Sequence, residues 1–157
     1  MLFEQQIALY QSNLRSSSAE YESALKSIPL GAHSTFQSFD PYPISIASAK
    51  GAWMTDVDGR KMLDLSMGFG SMLAGHLNPV VVEEIKNSLS EGMLFVTPSP
   101  ISRDATERIC KRFAIDQVRF TNSGTEATMY AVRLARSFTG KSGVVKLEGG
   151  YHGSFEP

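Results

Sequence analysis

Residues 118–150 have the sequence VRFTNSGTEATMYAVRLARSFTGKSGVVKLEGG, which carries the clearest folding signal in the chain. The stretch Val118-Arg119-Phe120-Thr121 predicts a short strand, and the small polar residues at 122–126 predict a loop. Apolar residues then recur at helical spacing up to Gly140, which predicts a helix ending there. Residues 143–148, with the sequence GVVKLE, predict another strand. This order predicts a βαβ unit with parallel strands and a right-handed crossover, and hence an α/β fold.

The loops that follow two parallel strands lie at the same edge of the sheet, where open α/β sheets bind their ligands. Residues 122–126 and 149–153 are therefore predicted to be neighbours in space. In the first loop, Gly124 leaves room for a ligand, while Ser123 and Thr125 supply hydroxyl groups. The helix that follows contributes unpaired N–H groups and the positive end of its dipole. This combination suits a phosphate monoester.

The second loop places an aromatic ring, Tyr151, and an imidazole, His152, between glycines. A flat ring beside a phosphate site predicts a phosphorylated aromatic cofactor. Each motif also has an ordinary explanation, because Ser and Thr commonly cap helices and aromatic residues commonly fill cores. What favours a ligand site is that both motifs fall at one predicted sheet edge.

The first half of the chain has different patterns. Helical spacing over residues 2–27, with a serine-rich break at 16–18, predicts an N-terminal arm or a pair of surface helices. Alternation at 44–49, turn residues at 57–60 and a return strand at 61–65 predict a small antiparallel meander. Asp56 and Asp58 superficially resemble a calcium loop, but the bidentate Glu that such a loop needs is missing at the required spacing. We therefore expect a hairpin turn there.

The clearest break in organisation falls near residue 66. A glycine-rich stretch occupies 66–78, and helices are predicted from Pro79 to about Gly92 and over 102–113. We expect residues 1–65 to form an N-terminal arm and meander belonging to a small domain. Residues 66–157 would begin a larger α/β domain.

Composition excludes several classes of protein. The 157 residues include 15 Lys plus Arg and 16 Asp plus Glu, a formal net charge of −1, which argues against nucleic-acid partners and polybasic membrane contact. The single cysteine, Cys110, rules out an intramolecular disulfide and favours a reducing compartment. There is neither a secretory signal nor an apolar run near the roughly 20 residues that span a bilayer. A cytoplasmic protein is expected.

Several motifs together resemble the class III aminotransferase family, and most closely its aminomutases, from about residue 30 to 157. The motifs are residues 50–59, Asp64, 75–79, 122–128, 131–136, 139–140 and 146–153. The resemblance implies a pyridoxal 5'-phosphate (PLP) enzyme of fold type I, the aspartate-aminotransferase-like fold, of which the meander and the start of the parallel-sheet domain would be the N-terminal part. It also implies a homodimer with active sites at the interface, acting on a small amino-acid or amino/keto substrate.

The resemblance assigns roles to the two loops. It implies that Gly124 and Thr125, with Ser123 beside them, bind the cofactor phosphate. It implies that Tyr151 stacks on the pyridine ring and that His152 supports it.

The resemblance also implies two substrate-binding residues. Phe69 falls near the position where the aminomutases place an aromatic residue at the substrate, and Ser34 falls where they place a serine for the substrate carboxylate. Gln37 stands where the aminomutases carry an arginine suited to a carboxylate. An amino-group transfer to a different small substrate therefore fits equally well.

The family's Schiff-base lysine lies well along its longer chains, so we expect it beyond Pro157 and expect no catalytic residue in this chain. Lys146 lies in a predicted strand near the site, but nothing marks it as that lysine.

The chain is thus expected to be an N-terminal fragment of an enzyme for PLP-dependent transamination or internal amino transfer. One alternative is a non-catalytic βαβ module binding another phosphorylated ligand, although no Gly-x-Gly-x-x-Gly or Walker-type lysine follows the first strand. Another is a purely structural or dimer-forming piece.

Overall fold

The structure, a computed structural model, describes residues 2–155. The helices are α1 (Leu2–Asn13), α2 (Arg15–Ala24), α3 (Pro79–Leu89), α4 (Pro100–Phe113) and α5 (Gly124–Thr139). The strands are β1 (Ile46–Lys50), β2 (Trp53–Asp56) and β3 (Lys61–Leu63), and short 3-10 turns occupy Pro29–Gly31 and Thr35–Gln37. The chain divides into two compact units, one ending at Met93 and the other beginning at Leu94. The domain boundary near residue 66 concerns the larger fold and stays a prediction.

The first unit contains the expected meander. Its strands pair antiparallel in the order β1-β2-β3, with an irregularity in the register between Ile46 and Ser48. The β2–β3 turn is organised by Asp56, whose carboxylate accepts hydrogen bonds from the backbone N–H of Asp58 at 3.1 Å and of Arg60 at 2.7 Å. The Arg60 side chain binds the other carboxylate oxygen at 2.8 Å. The hairpin prediction is confirmed, and Asp56 serves as its internal brace.

Asp58, at the tip of that turn, holds the start of α2. Its carboxylate accepts hydrogen bonds from the backbone N–H of Ser16 at 2.7 Å and of Ser17 at 3.1 Å, and from the Ser17 hydroxyl at 2.8 Å. A carboxylate at this end of a helix also interacts favourably with the helix dipole. Burial alone would raise the pKa of Asp58, but these donors lower it to about 2. The contacts tie the N-terminal helices to the meander.

The break between the first two helices falls at Leu14, just before the serines at which it was predicted. Leu14 has φ −128° and ψ 45°, outside the helical region, and its side chain is fully buried. Tyr42 is also buried, and its backbone carbonyl accepts a 2.6 Å hydrogen bond from the Tyr10 hydroxyl. The sequence places the break at Ser16–Ser18 because serine competes with helix hydrogen bonding. Here burial of a leucine fixes the position instead.

The second unit contains α4 and α5. The strands predicted at 118–121 and 143–148 are not formed, because neither segment joins a β-ladder within the described residues. Strands of a parallel sheet are normally buried on both faces. Val145 and Leu147 are instead fully or mostly exposed, and Phe120 is about half exposed. The sequence of both segments favours strands, but the described residues supply no neighbouring strands to pair with them.

Within residues 2–155, no helix has both the length and the apolar character that crossing a bilayer requires.

Candidate functional site

The start of α5 is organised by its own sequence. Ser123 is the N-cap, and its hydroxyl oxygen accepts a 3.1 Å hydrogen bond from the backbone N–H of Glu126. The Glu126 carboxylate reaches back and accepts from the backbone N–H of Asn122 at 2.7 Å. This reciprocal arrangement is a capping box, here shifted by one residue on the return contact. It fixes the loop at 122–126 from within.

The capping box leaves donors available at the helix start. In the described part of the chain, nothing accepts a hydrogen bond from the backbone N–H groups of Gly124 and Thr125. The Ser123 hydroxyl uses its oxygen as an acceptor, so its proton remains for donation. An added Cβ at Gly124 would have open space around it. Unsatisfied N–H groups at the positive end of a helix dipole are suited to an anion.

The second loop approaches this helix start directly. The backbone N–H of Ser154 donates to Thr125 Oγ1 at 3.2 Å. Gly153 has φ +105°, and a Cβ there would lie 2.8 Å from both Cα and Oγ1 of Thr125. The expectation that the two loops are neighbours is therefore confirmed. Because Thr125 Oγ1 accepts from Ser154, its hydroxyl proton is available to a ligand.

Tyr151 and His152 lie exposed on this second loop. The Tyr151 side chain is 70% exposed, and its hydroxyl is 3.2 Å from Ser154 Oγ. His152 Nε2 would lie 2.8 Å from a Cβ added at Gly150, so glycine there lets the imidazole fold back over the loop. Both rings line a cavity of about 140 Å³. The aromatic ring and the imidazole are thus beside the anion-suited helix start, within the same unit.

Besides Tyr151 and His152, this cavity is lined by Lys146, Gly150, Gly153 and Phe155, and none of these four is a predicted site residue. The sequence places Lys146 in a predicted strand near the site, with nothing that marks it as the Schiff-base lysine. Phe155 carried no signal in the sequence, because a lone aromatic residue near a loop is indistinguishable from an ordinary core residue.

The predicted substrate residues lie in the first unit. Ser34 caps the 3-10 turn Thr35–Gln37, and its hydroxyl accepts from the backbone N–H of Phe36 at 3.4 Å. Phe69 is 86% exposed on the glycine-rich stretch. The rings of Phe36 and Phe69 meet edge to face, with centroids 6.0 Å apart and planes at 69°. The structure therefore joins the segments that carry Ser34 and Phe69 through Phe36.

Comparison with known proteins defines the class. A family model described as Aminotransferase class-III matches residues 36–156. The chain belongs to the class III aminotransferase family.

Individual relatives narrow the comparison. The chain is 39% identical over 145 residues to a glutamate-1-semialdehyde 2,1-aminomutase of Methanothrix thermoacetophila, covering 92% of this chain and 34% of that protein. It superposes on a solved transaminase with PLP bound, with a TM-score of 0.87 and 36% identity, covering 90% of this chain and 34% of the other. A β-phenylalanine aminotransferase of Variovorax paradoxus gives a TM-score of 0.93 at 28% identity, covering 96% and 35%.

These comparisons confirm that the chain has the fold of the PLP-dependent aminotransferases over the region that it shares with them. The chain spans about a third, 34% and 33%, of the length of the first curated relatives that it matches.

Proposed function

We propose that this chain binds pyridoxal 5'-phosphate at the start of α5 and contributes that site to PLP-dependent amino-group transfer, as a transaminase or an aminomutase. One observation carries the proposal most strongly. The hydrogen bond from Ser154 N–H to Thr125 Oγ1 joins the two loops that the family resemblance assigns to the cofactor. Membership of the class III aminotransferase family supports the same cofactor.

The cofactor phosphate would be held by the donors left unused at the helix start. The backbone N–H groups of Gly124 and Thr125 and the hydroxyl protons of Ser123 and Thr125 are free to meet its oxygens within the described structure. The doubly charged phosphate also gains from the positive end of the α5 dipole. Glu126 is the acidic group nearest in sequence, and its carboxylate is engaged with the Asn122 N–H.

The cofactor ring would lie against Tyr151, with His152 supporting it. Bound PLP supplies an electron sink for amino-group chemistry. The exposed face of Tyr151 offers an aromatic surface for a heterocycle, and the contact of its hydroxyl with Ser154 limits how far the ring can swing away. We assign no catalytic role to the residues of this chain.

The proposed substrate is a small amino acid or an amino/keto compound, with Ser34 and Phe69 contacting it. The relatives differ in substrate, since one is named an aminomutase of glutamate-1-semialdehyde and another a β-phenylalanine aminotransferase. Gln37, where the aminomutases have a carboxylate-binding arginine, leaves both a transaminase and an aminomutase open. A cytoplasmic homodimer is part of the same proposal.

The test uses pyridoxamine 5'-phosphate, because this form of the cofactor lacks the aldehyde that would react with any exposed lysine. The chain is titrated with it while backbone amide signals are followed by NMR. We expect the Gly124, Thr125 and Tyr151 amides to shift and saturate. Pyridoxamine without the phosphate serves as the matched ligand, and it should bind at least tenfold more weakly.

Adenosine 5'-monophosphate tests the rival proposal of a module that binds some other phosphorylated ligand. If the nucleotide shifts the same amides at lower concentration than pyridoxamine 5'-phosphate, the rival proposal is correct. If neither compound shifts them at millimolar concentration, the cofactor site proposed here does not exist in this chain.

A further inference from the structure

The glycine-rich loop that carries Phe69 has an unfavourable backbone conformation. Met67 and Phe69 have φ of +46° and +55°, in the left-handed region that non-glycine residues rarely occupy. Each such residue costs about 1–2 kcal/mol relative to the right-handed region. Backbone strain of this kind persists only where surrounding contacts impose it. Contacts within and around residues 66–75 must therefore hold the loop in this shape.

Hydrogen bonds inside the loop, such as that from the Met72 N–H to the Met67 carbonyl at 3.0 Å, act together with a set of contacts made by Asp64 at the base of the loop. One carboxylate oxygen accepts from the backbone N–H groups of Ser66 at 2.9 Å and Met67 at 2.8 Å. The other lies 2.7 Å from His76 Nε2. Asp64 is buried, and the His76 side chain is only 21% exposed. Asp64 before the loop and His76 after it thus join its two ends, and this pair of residues is called the clasp.

His76 is in turn fixed to the meander. Its backbone N–H and carbonyl both pair with Gly51, each at 2.8 Å. Gly75 approaches the same turn so closely that an added Cβ would lie 3.1 Å from the Gly51 carbonyl oxygen. The hydrogen bond from His76, together with those from the Met67 and Ser66 N–H groups, lowers the pKa of Asp64. The base of the loop is therefore rigidly attached.

The apex of the loop presents Phe69 to the segment that contains Ser34. Phe69 packs edge to face on Phe36, whose own backbone N–H donates to the Ser34 hydroxyl. Both aromatic rings remain more than half exposed, at 86% for Phe69 and 62% for Phe36. An exposed pair of aromatic rings beside a serine hydroxyl is suited to a small molecule with an apolar part and a polar end.

We propose that Asp64 and His76 are positioning residues, whose contact across the base of the 66–75 loop holds Phe69 against Phe36 and so shapes the surface that receives the apolar part of an amino substrate. This inference rests on the proposed function for its substrate. The geometric part, that the clasp sets the position of Phe69, stands apart from the cofactor.

The first test measures the position of Phe69 in variants of the whole chain. The nuclear Overhauser effect between the Phe36 and Phe69 rings is compared in wild type, His76→Ala and His76→Gln. We expect His76→Ala to lose more than half of its intensity, because the loop is freed to relax its strained residues. His76→Gln should restore most of it, since the glutamine amide can donate to the Asp64 carboxylate.

The matched control is Ser17→Ala, which removes a buried hydroxyl that binds Asp58 and Ser45 in the same unit. It should weaken the unit without moving Phe69.

Asp64→Asn is a milder second variant, which keeps an acceptor for the loop but removes the charge facing His76. We expect it to give an intermediate loss, and it decides the question if His76→Ala does not fold.

The second test uses 2-phenylethylamine as the probe of the aromatic surface, followed by the Phe69 amide signal. We expect its apparent affinity to fall at least threefold in His76→Ala and to recover in His76→Gln. An unchanged ring contact in His76→Ala, an equal loss in Ser17→Ala, or an unchanged affinity would overturn the proposal. None of these outcomes depends on pyridoxamine 5'-phosphate, so the proposal for the cofactor site and the proposal for the clasp can be confirmed or rejected independently.

Discussion

The Oγ1 of Thr125 accepts a hydrogen bond from the backbone N–H of Ser154 at 3.2 Å, across 29 positions of sequence. This single contact brings the start of α5 and the loop carrying Tyr151 together. It also orients the Thr125 hydroxyl, because an oxygen that accepts from Ser154 directs its own proton elsewhere. The same side chain can therefore brace the second loop and donate to an anion at the helix start.

Replacement of Thr125 by valine should weaken binding of pyridoxamine 5'-phosphate by tenfold or more. Valine keeps the shape of the side chain but loses both the acceptor for Ser154 and the donor to phosphate. A hydrogen bond to a charged group contributes about 1.5–3 kcal/mol, and about 1.4 kcal/mol corresponds to tenfold in affinity. Isothermal titration calorimetry measures the change.

The control for this prediction is Thr128→Val, one turn further along α5. The Thr128 hydroxyl donates to the carbonyl of Gly124 at 2.8 Å, within its own helix, and so has no role in the proposed site. Its replacement should leave the affinity within about twofold of the wild type. Equal losses in the two variants would show that the Thr125 effect is a general one on the helix.

Gly153→Ala should separate the two loops. The added Cβ would lie 2.8 Å from two atoms of Thr125, and the φ of +105° at this position is unfavourable for alanine. We expect the Ser154 amide to lose its protection from hydrogen exchange and the affinity for pyridoxamine 5'-phosphate to fall by more than tenfold.

Gly149→Ala is the matched substitution, since Gly149 also has a positive φ, +72°, but its added Cβ would meet nothing within 4 Å. It carries the backbone cost, about 1 kcal/mol, without the collision. Loss of binding in Gly149→Ala to the same degree as in Gly153→Ala would mean that backbone strain, and not loop approach, controls the site.

The candidate cofactor site was largely predictable because its signals are local. Ser123 is a residue type that commonly caps helices and precedes apolar residues at helical spacing, so it predicts a helix start. Gly140 predicts the end of that helix. The approach of the second loop to Thr125 followed from a general property of βαβ units, that successive strands end at one edge. That inference was correct although the strands on which it relied are not formed among the described residues.

The clasp between Asp64 and His76 was beyond the reach of pattern reasoning. An aspartate and a histidine 12 positions apart, on either side of a glycine-rich loop, carry no periodicity that relates them. Their contact depends on the pairing of His76 with Gly51, which is a tertiary feature. The helix break shows a similar effect. The sequence predicts it at residues 16–18, whereas the structure has it at Leu14, because burial of this apolar side chain outweighs the local preference of serine.

Ser123→Ala should destabilise α5 by about 1 kcal/mol, the usual cost of removing an N-cap side chain. The backbone N–H of Glu126 loses its acceptor, so the first turn frays. Hydrogen exchange of the amides at 126–130 should accelerate about fivefold.

Ser137→Ala makes the same chemical change in the helix interior. It should stabilise α5 rather than destabilise it, because alanine is the better helix former. Slower or unchanged exchange in Ser123→Ala would contradict the assigned cap.

The attachment of α2 to the meander should weaken in acid. Because hydrogen bonds from Ser16 and Ser17 lower the pKa of Asp58 from 3.8 to about 2, the folded state binds its proton less readily than the unfolded state. The contribution of Asp58 is thus fully present above about pH 3.8 and is lost as pH falls toward 2. NMR titration of the Asp58 carboxyl carbon measures its pKa, and hydrogen exchange of the Ser17 amide measures the loss of the contact with α2.

In Asp58→Asn this acid-dependent loss should vanish, whereas Glu83→Gln, on an exposed face of α3, should retain it. A carboxyl midpoint near 4 would contradict the role given to Ser16 and Ser17.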